Sequence, residues 1–122
     1  MCVMWIGFRT VIARRIKSFQ FAWRGVTILL RTQPNARVHL LATVVVLLLA
    51  AMTNRTRLDW ALLLLAVGLV WVAETLNTAI EFLTNLVSPE WCPLAGQVKD
   101  LSAAAVLLAA MTALAVGLVV FL

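Results

Sequence analysis

The stretch that decides the fold is Leu58–Val87, with the sequence LDWALLLLAVGLVWVAETLNTAIEFLTNLV. Its first half is almost continuously apolar, and the helical pattern continues to its end. Because about 20 apolar residues are enough for a helix to cross a bilayer, the stretch predicts a transmembrane helix. Its second half carries two acids, Glu74 and Glu81, which are costly inside a membrane. These acids therefore mark candidate functional positions.

The composition of the whole chain agrees with a membrane protein. Of the 122 residues, 64% are hydrophobic and 12% are charged, and the mean hydropathy is +1.04. A soluble domain has roughly 45–50% apolar and about 25% charged residues. A chain this small cannot bury so much apolar surface by itself. The composition therefore excludes a soluble globular enzyme, a disulfide scaffold and a disordered tail.

Hydropathy predicts two further spans and one helix that precedes them. Pro34 ends the preceding helix, because proline disfavours helical geometry in the residue before it. The polar turns Thr53–Arg57 and Ser88–Pro93 separate the spans. The expected fold class is an all-α membrane protein with a single domain over residues 1–122. Its transmembrane helices are expected to cover residues 35–52, 58–87 and 101–122.

The helix expected over residues 8–31 is amphipathic. Apolar residues recur at steps of three or four on one face, while Arg14, Lys17 and Arg24 lie on the opposite face. This pattern suits a helix that lies in the membrane interface, with anionic lipid headgroups as partners. An ordinary packed helix with a solvated face is the alternative. Because the bases lie beside hydrophobic spans, nucleic acid is not expected as a partner.

The distribution of bases predicts the orientation in the membrane. Seven of the ten Lys and Arg residues precede residue 38, and such segments stay on the cytoplasmic side. We expect a multi-pass protein of the bacterial inner or plasma membrane with a cytoplasmic N-terminus. Three crossings then place the C-terminus outside. Arg55 and Arg57 would also lie outside, which counts against this orientation. The seven bases before the first span outweigh these two.

The acids of the second span belong to a continuous row of polar side chains, here called the polar stripe. At about 1.5 Å per residue the stripe runs roughly 16 Å along one helix face. The deeper acid suits general-base chemistry, and the acid near the water suits binding of a cation. Helix–helix adhesion is the alternative. The members of the polar stripe are Glu74, Asn77, Thr78, Glu81 and Asn85.

Lys99 and Asp100 come just before the third span, on the same side of the membrane as Glu81. A lysine can neutralise a phosphate, and an aspartate can orient it or a metal. The alternative is that Lys99 is a snorkelling anchor at the start of the helix and that Asp100 caps this helix.

Two other residues are given no part in chemistry at this stage. His39 is interpreted as a capping or headgroup contact, and Cys92 is interpreted as an inert thiol. The sequence contains no Walker A loop and no zinc-ligand spacing.

Three motifs carry a resemblance to a known family. Glu74-x-x-Asn77-Thr-Ala-Ile-Glu81, Ser88-Pro-Glu90 and Ala95-x-x-x-Lys99-Asp100-x-x-Ala103 closely resemble the signature of the prokaryotic diacylglycerol kinase and undecaprenol kinase family. The resemblance extends to two earlier stretches, Ser18-Phe-x-x-Ala22-Trp23-x-Gly25 and Arg31-Thr-x-x-Asn35-x-Arg37-x-His39, and therefore covers most of the chain. The central motif is specific, because an acid–Asn–acid stripe in a membrane helix is rare by chance. The resemblance implies three transmembrane helices plus an interfacial helix, assembled as a homotrimer with active sites between subunits.

The resemblance also implies an activity, the phosphorylation of a membrane-lipid hydroxyl by ATP with Mg²⁺. It implies that Glu74 is the catalytic general base and also contacts the lipid, together with Asn77 and Ala103. Glu81 and Gln33 are implied as ligands of Mg²⁺. The residues implied in ATP binding are Arg14, Gln33, Glu81, Glu90, Trp91, Cys92, Lys99 and Asp100.

Gln33, Asn85 and Cys92 depart from the pattern of the family, which commonly has an acid, an Asp and a His at these positions. A neutral amide at position 33 can coordinate Mg²⁺ but adds no charge. Residues 31–41 and 58–74 look more like the undecaprenol kinase branch, so undecaprenol is slightly favoured over diacylglycerol as the acceptor. A diacylglycerol kinase, a catalytically impaired lipid-binding trimer and a small transporter are the alternatives.

Overall fold

The computed structural model describes the backbone of residues 2–122 and the side-chain surroundings of residue 7 and residues 9–122. Within this range the chain forms four α-helices in two units. The first unit, residues 1–32, consists of α1 (Cys2–Thr32). The second unit, residues 33–122, contains α2 (Pro34–Met52), α3 (Arg57–Val87) and α4 (Pro93–Phe121). The expectation of an all-helical chain is thus confirmed for the described residues.

Two of the helices begin earlier than the sequence predicted. α1 begins at Cys2 rather than at residue 8, and α4 begins at Pro93 rather than at residue 101. Hydropathy places the third span late because Lys99 and Asp100 are charged, but both residues lie on a helix that has already begun. Proline suits this start, since the first turn of a helix needs no backbone N–H.

Local hydrogen bonds explain where α3 begins. The Thr56 hydroxyl accepts a hydrogen bond of 3.2 Å from the Asp59 backbone N–H, and the Asp59 carboxylate accepts one of 3.1 Å from the Thr56 N–H. This reciprocal pair is a capping box. Asn54, in the turn before it, has a φ of 48°, in the left-handed region that asparagine tolerates. The short turn between α2 and α3 is therefore encoded locally.

The second unit is built around α3, which packs against both α2 and α4. Its buried apolar cluster takes one residue from each helix, namely Ala50, Leu63 and Val120. The guanidinium of Arg55 donates a hydrogen bond of 2.8 Å to the Val120 carbonyl. This bond satisfies a carbonyl in the last turn of α4. We call this side of the unit the Arg55 end, and the opposite side, where α2 begins and α3 ends, the polar end.

The three helices of the second unit are long and apolar enough to cross a membrane. At about 1.5 Å per residue, the 31 residues of α3 measure roughly 46 Å. The hydrocarbon core of a bilayer is only about 30 Å thick. Because α3 is longer than the hydrocarbon core, its last turns can lie in the polar interface while its apolar half crosses the lipid.

Candidate active site

The polar stripe lies on α3 and changes from buried to exposed toward the polar end. Glu74 is 1% exposed, Asn77 is 8% exposed and Thr78 is 5% exposed. Glu81 is half-buried and Asn85 is exposed. The helix repeat places these residues on one face, and the packing of α2 and α4 on α3 covers only the deeper part of that face. One helix face thus carries a buried carboxylate at one end and half-buried or exposed polar groups at the other.

The Glu74 carboxylate is enclosed without a hydrogen-bond donor among the described residues. The nearest charged or chargeable partner is His39 of α2, whose Nε2 lies 3.6 Å from Oε2 of Glu74. This distance is within ion-pair range but exceeds that of a hydrogen bond. The Thr78 hydroxyl donates a hydrogen bond of 3.0 Å to the Glu74 backbone carbonyl and not to the carboxylate. His39 is therefore the group best placed to act on the carboxylate.

Asn77 is held by α4. The Ser102 hydroxyl lies 2.8 Å from Oδ1 of Asn77 and 2.9 Å from the backbone carbonyl of Lys99. Both Asn77 and Ser102 are buried. Because a buried amide without a partner is costly, this hydrogen bond fixes the position of Asn77 between Glu74 and the polar end.

Lys99 lies at the polar end, beside the last turns of α3. Its Nζ donates a hydrogen bond of 2.6 Å to Oδ1 of Asn85. Asn85 belongs to the same face as Glu81, so the structure brings the ammonium group to the exposed end of the polar stripe. Asp100, the next residue, is exposed. Of this sequence-predicted pair, Lys99 is the residue that the structure joins to α3.

Cys92 is the residue that caps the start of α4. Its Sγ accepts a hydrogen bond of 3.5 Å from the Ala95 N–H and lies 3.7 Å from the Ser88 hydroxyl. The Ala95 N–H and, after it, the Ser88 hydroxyl stabilise the thiolate and lower the pKa of Cys92 below its ordinary value. Glu90 and Trp91, which precede it, are exposed. The capping role of Cys92 was not predicted from the sequence.

The remaining sequence-predicted residues are dispersed. Gln33 is half-buried at the start of α2, and Ala103 is exposed on α4. Arg14 is exposed on α1, which forms the other unit. Within the second unit, the structure therefore places Glu74, Asn77 and Glu81 along one face of α3, with the Lys99 ammonium group of α4 at the exposed end of that face.

The donor types suit a magnesium ion that arrives with a nucleotide. Among the described residues, no three side chains of His, Cys, Asp or Glu come together to hold a metal. Mg²⁺ usually takes one or two carboxylates and completes its shell with water and substrate phosphates. Glu81 offers a carboxylate, and Gln33 offers an amide oxygen. These hard oxygen donors fit Mg²⁺ bound together with phosphate.

An apolar groove of about 470 Å³ leads from His39 toward the Arg55 end. Its walls include Val46 of α2, Val70 of α3 and Gly117 of α4. The groove begins beside the residue that approaches the Glu74 carboxylate and ends near Phe121. It therefore leads along apolar side chains from the residue that lies nearest to the buried carboxylate.

Two residues of this site were missed or misinterpreted in the sequence analysis. His39 was interpreted as a capping or headgroup contact, and Ser102 was given no role in the site. Both act across helices, on Glu74 and Asn77 respectively. No spacing in the sequence reveals these pairs, because their members are 35 and 25 positions apart. Only the register of α2 and α4 on α3 creates them.

The site thus combines a buried carboxylate, a buried amide and a second carboxylate on one helix that is apolar enough to cross a membrane, with an ammonium group from α4 at its exposed end. These are groups that an integral membrane enzyme could use for phosphoryl transfer. The sequence profile of "Prokaryotic diacylglycerol kinase" matches residues 20–121. The chain belongs to the prokaryotic diacylglycerol kinase family, and it is a lipid kinase.

Curated relatives of two kinds are similar to this chain. The undecaprenol kinase of Bacillus subtilis is 34% identical over 114 residues, which cover 93% of each chain. The diacylglycerol kinase of Synechocystis sp. is 41% identical over 101 residues, which cover 82% of this chain and 58% of the relative. The diacylglycerol kinase of Escherichia coli is 30% identical over 104 residues, or 85% of each chain. Lipid phosphorylation is common to these names, whereas the acceptor differs.

Proposed function

We propose that this chain transfers the terminal phosphate of ATP to the hydroxyl of a membrane lipid, with undecaprenol slightly favoured over diacylglycerol. The observation that carries the proposal is the change in burial along the polar stripe, from Glu74 at 1% exposed to the exposed Asn85. Such a gradient suits a reaction between a lipid hydroxyl, which arrives from the membrane, and a nucleotide, which arrives from water.

The length of α3 supports this assignment. Consider α3 nearly perpendicular to the bilayer, with Arg57 at one edge of the hydrocarbon core. Measured from Arg57 along the helix axis, Glu74 then lies at about 26 Å and Glu81 at about 36 Å. The hydrocarbon core ends at roughly 30 Å. Glu74 is then just inside the far edge, where the hydroxyl of a lipid can reach it. Glu81 is just beyond that edge, where a nucleotide remains hydrated.

In the proposed reaction, Glu74 takes the proton from the lipid hydroxyl. The hydroxyl oxygen forms a bond to the terminal phosphorus of ATP, and the bond from that phosphorus to ADP breaks. Asn77, held by Ser102, positions the hydroxyl. Positioning and neutralisation of charge supply most of the catalysis in phosphoryl transfer. Mg²⁺, held with ATP by Glu81 and Gln33, would supply part of that neutralisation.

The nucleotide is proposed to bind at the polar end. Lys99 would contact the phosphates, as its ammonium group already lies beside the last turns of α3. Glu90 and Trp91 are exposed next to the start of α4 and are available to border the nucleotide. The full set proposed to bind ATP is Arg14, Gln33, Glu81, Glu90, Trp91, Cys92, Lys99 and Asp100.

The apolar part of the lipid is proposed to lie along the groove that leads away from His39. Apolar walls favour a hydrocarbon tail, and the groove starts next to the proposed base. Ala103, exposed on α4, would contact the same lipid. The preference for undecaprenol rests on the resemblance of residues 31–41 and 58–74 to that branch.

We also infer how the chain is arranged in the membrane. α1 would lie in the interface against anionic headgroups, the N-terminus would be cytoplasmic and the C-terminus outside. Arg55, a base on the outer side in this orientation, binds the Val120 carbonyl, so a structural role explains its position. Three helices are too few to enclose a lipid and a nucleotide, which supports a homotrimer whose active sites lie between subunits and in which residues 1–122 act as one catalytic unit.

Radiolabelled ATP tests the proposal. Purified protein in mixed micelles with Mg²⁺ is offered undecaprenol or diacylglycerol in separate reactions, and the lipid fraction is counted. We expect label in both or in undecaprenol preferentially. Label in diacylglycerol alone would reverse the acceptor preference. Label in neither lipid would support the catalytically impaired alternative, which the neutral Gln33 motivates.

A further inference from the structure

Glu74 and His39 face each other across the contact between α3 and α2. Oε2 of Glu74 lies 3.6 Å from Nε2 of His39. The carboxylate is 1% exposed, and neither of its oxygens has a hydrogen-bond partner among the described residues. The His39 side chain is 21% exposed. The imidazole therefore lies between a buried acid and the more open groove.

A buried ionised carboxylate needs a donor, because loss of water costs several kcal/mol unless a hydrogen bond or opposite charge replaces it. The imidazole can supply an N–H from Nε2. Closing the gap to a hydrogen bond of about 2.9 Å requires a movement of only about 0.7 Å. Catalytic hydrogen bonds are often long in an unliganded enzyme and tighten when substrate binds.

A second polar contact between the same helices lies next to His39. The Thr43 hydroxyl, one turn further along α2, donates a hydrogen bond of 2.7 Å to the His39 backbone carbonyl. The same hydroxyl accepts a hydrogen bond of 3.0 Å from the indole N–H of Trp71. Trp71 lies one turn before Glu74 on α3. This hydrogen bond is a second polar contact between α2 and α3, one turn from the imidazole, and it does not involve the imidazole itself.

We propose that His39 is a positioning residue for the catalytic base. Its Nε2–H donates to Oε2 of Glu74 and orients the carboxylate, so that Oε1 is left to receive the proton of the lipid hydroxyl. The inference rests on the proposed function, since it assigns a partner to the general base of that reaction. It replaces the interpretation of His39 as a capping or headgroup contact.

The contact can be tested without turnover, because His39 is the single histidine of the chain. Isotope-labelled histidine gives one set of imidazole nitrogen resonances in the intact protein. We expect Glu74→Gln to move the Nε2 resonance, because it replaces an anionic acceptor with a neutral amide. Glu81→Gln, which removes the same charge elsewhere on α3, should leave the resonance in place. An unchanged resonance in Glu74→Gln, or an equal change in both variants, would overturn the proposal.

Kinetics separate positioning from a purely structural role. His39→Leu should lower kcat by about 10- to 100-fold, as a misplaced catalytic group does, while KM for ATP stays within about twofold. His39→Gln retains an N–H donor and should recover most of the lost kcat. Thr43→Val removes the neighbouring interhelical hydrogen bond and should lower kcat by less than about threefold.

The outcomes distinguish this inference from the function on which it rests. Wild-type kcat in His39→Leu, no recovery in His39→Gln, or an equal loss in Thr43→Val would each exclude a positioning role. If the unsubstituted chain phosphorylates no lipid, the proposed function fails, while the imidazole resonance still reports whether His39 and Glu74 are bonded.

Discussion

The Ser102 hydroxyl lies 2.8 Å from Oδ1 of Asn77 and joins α4 to the polar stripe of α3. The same hydroxyl lies 2.9 Å from the Lys99 carbonyl, so it contacts the backbone of the residue whose ammonium group reaches Asn85. One small side chain thus connects the buried part of the site, around Asn77, with its exposed part, around Lys99.

Ser102→Ala should lower kcat for lipid phosphorylation by about 5- to 30-fold, since roughly 1–2 kcal/mol of hydrogen-bond energy positions the Asn77 amide. Steady-state kinetics in mixed micelles measure the effect. Thr112→Ala is the matched control, because it removes an exposed α4 hydroxyl that bonds only to its own helix, at the Leu108 carbonyl. Equal activities of the two variants would show that Ser102 does not position Asn77.

Glu74→Gln should lower the rate of phosphoryl transfer by about 10²- to 10⁴-fold, because the amide cannot accept the hydroxyl proton. The side chain keeps its shape, so the proposed trimer should persist. Radiolabel transfer measures the activity, and light scattering on the detergent-solubilised protein measures the assembly. Retention of activity would show that another group is the base, whereas loss of assembly would make the variant uninformative and require Glu74→Asp instead.

Gln33→Glu should lower the Mg²⁺ concentration that gives half-maximal activity, because a carboxylate adds charge where the neutral amide adds none. A titration of activity against Mg²⁺ at constant ATP measures the change. Gln97→Glu adds the same charge at an exposed position on α4 and serves as the control. If both variants, or neither, change the requirement, Gln33 is not near the metal.

The lowered pKa of Cys92 predicts its pH-dependent reactivity. In a Cys2→Ser background, the alkylation rate should rise with pH around a midpoint below that of an ordinary thiol, because the Ala95 N–H and the Ser88 hydroxyl stabilise the thiolate. Stopped-time alkylation followed by mass spectrometry measures the midpoint. Ser88→Ala removes one of the two donors and should move the midpoint to higher pH. A midpoint at the value of a free thiol would contradict the prediction.

Arg55→Leu should destabilise the protein by about 1.5–3 kcal/mol, the scale of a hydrogen bond that involves a charged group. The variant loses the bond to the Val120 carbonyl and the stacking of the guanidinium 5.1 Å from the centre of the Phe121 ring. A thermal melt in detergent measures the loss. Arg57→Leu, which removes an exposed base from the same region, should melt close to the wild type; an equal decrease would assign the effect to charge alone.

The sequence by itself determined the membrane class and the helical fold, and it predicted most of the candidate site. These depend on local properties: apolar runs such as Leu58–Val70, and the helical spacing that brings Glu74, Asn77 and Glu81 to one face. Proline and capping residues also act locally, which is why the break at Gln33 was anticipated. The start of α4 was misplaced because hydropathy detects the membrane span rather than the helix, and Lys99 and Asp100 are charged residues within a helix.

Only the tertiary structure decided which side chains meet across helices. The contact of His39 with Glu74 and that of Ser102 with Asn77 depend on the rotation and register of α2 and α4 on α3. A rotation of one helix by a single residue moves a side chain by about 100° around the axis, and nothing in the local pattern of an apolar helix specifies that rotation. It is set by the packing of side chains such as Ala50, Leu63 and Val120, where the three helices meet.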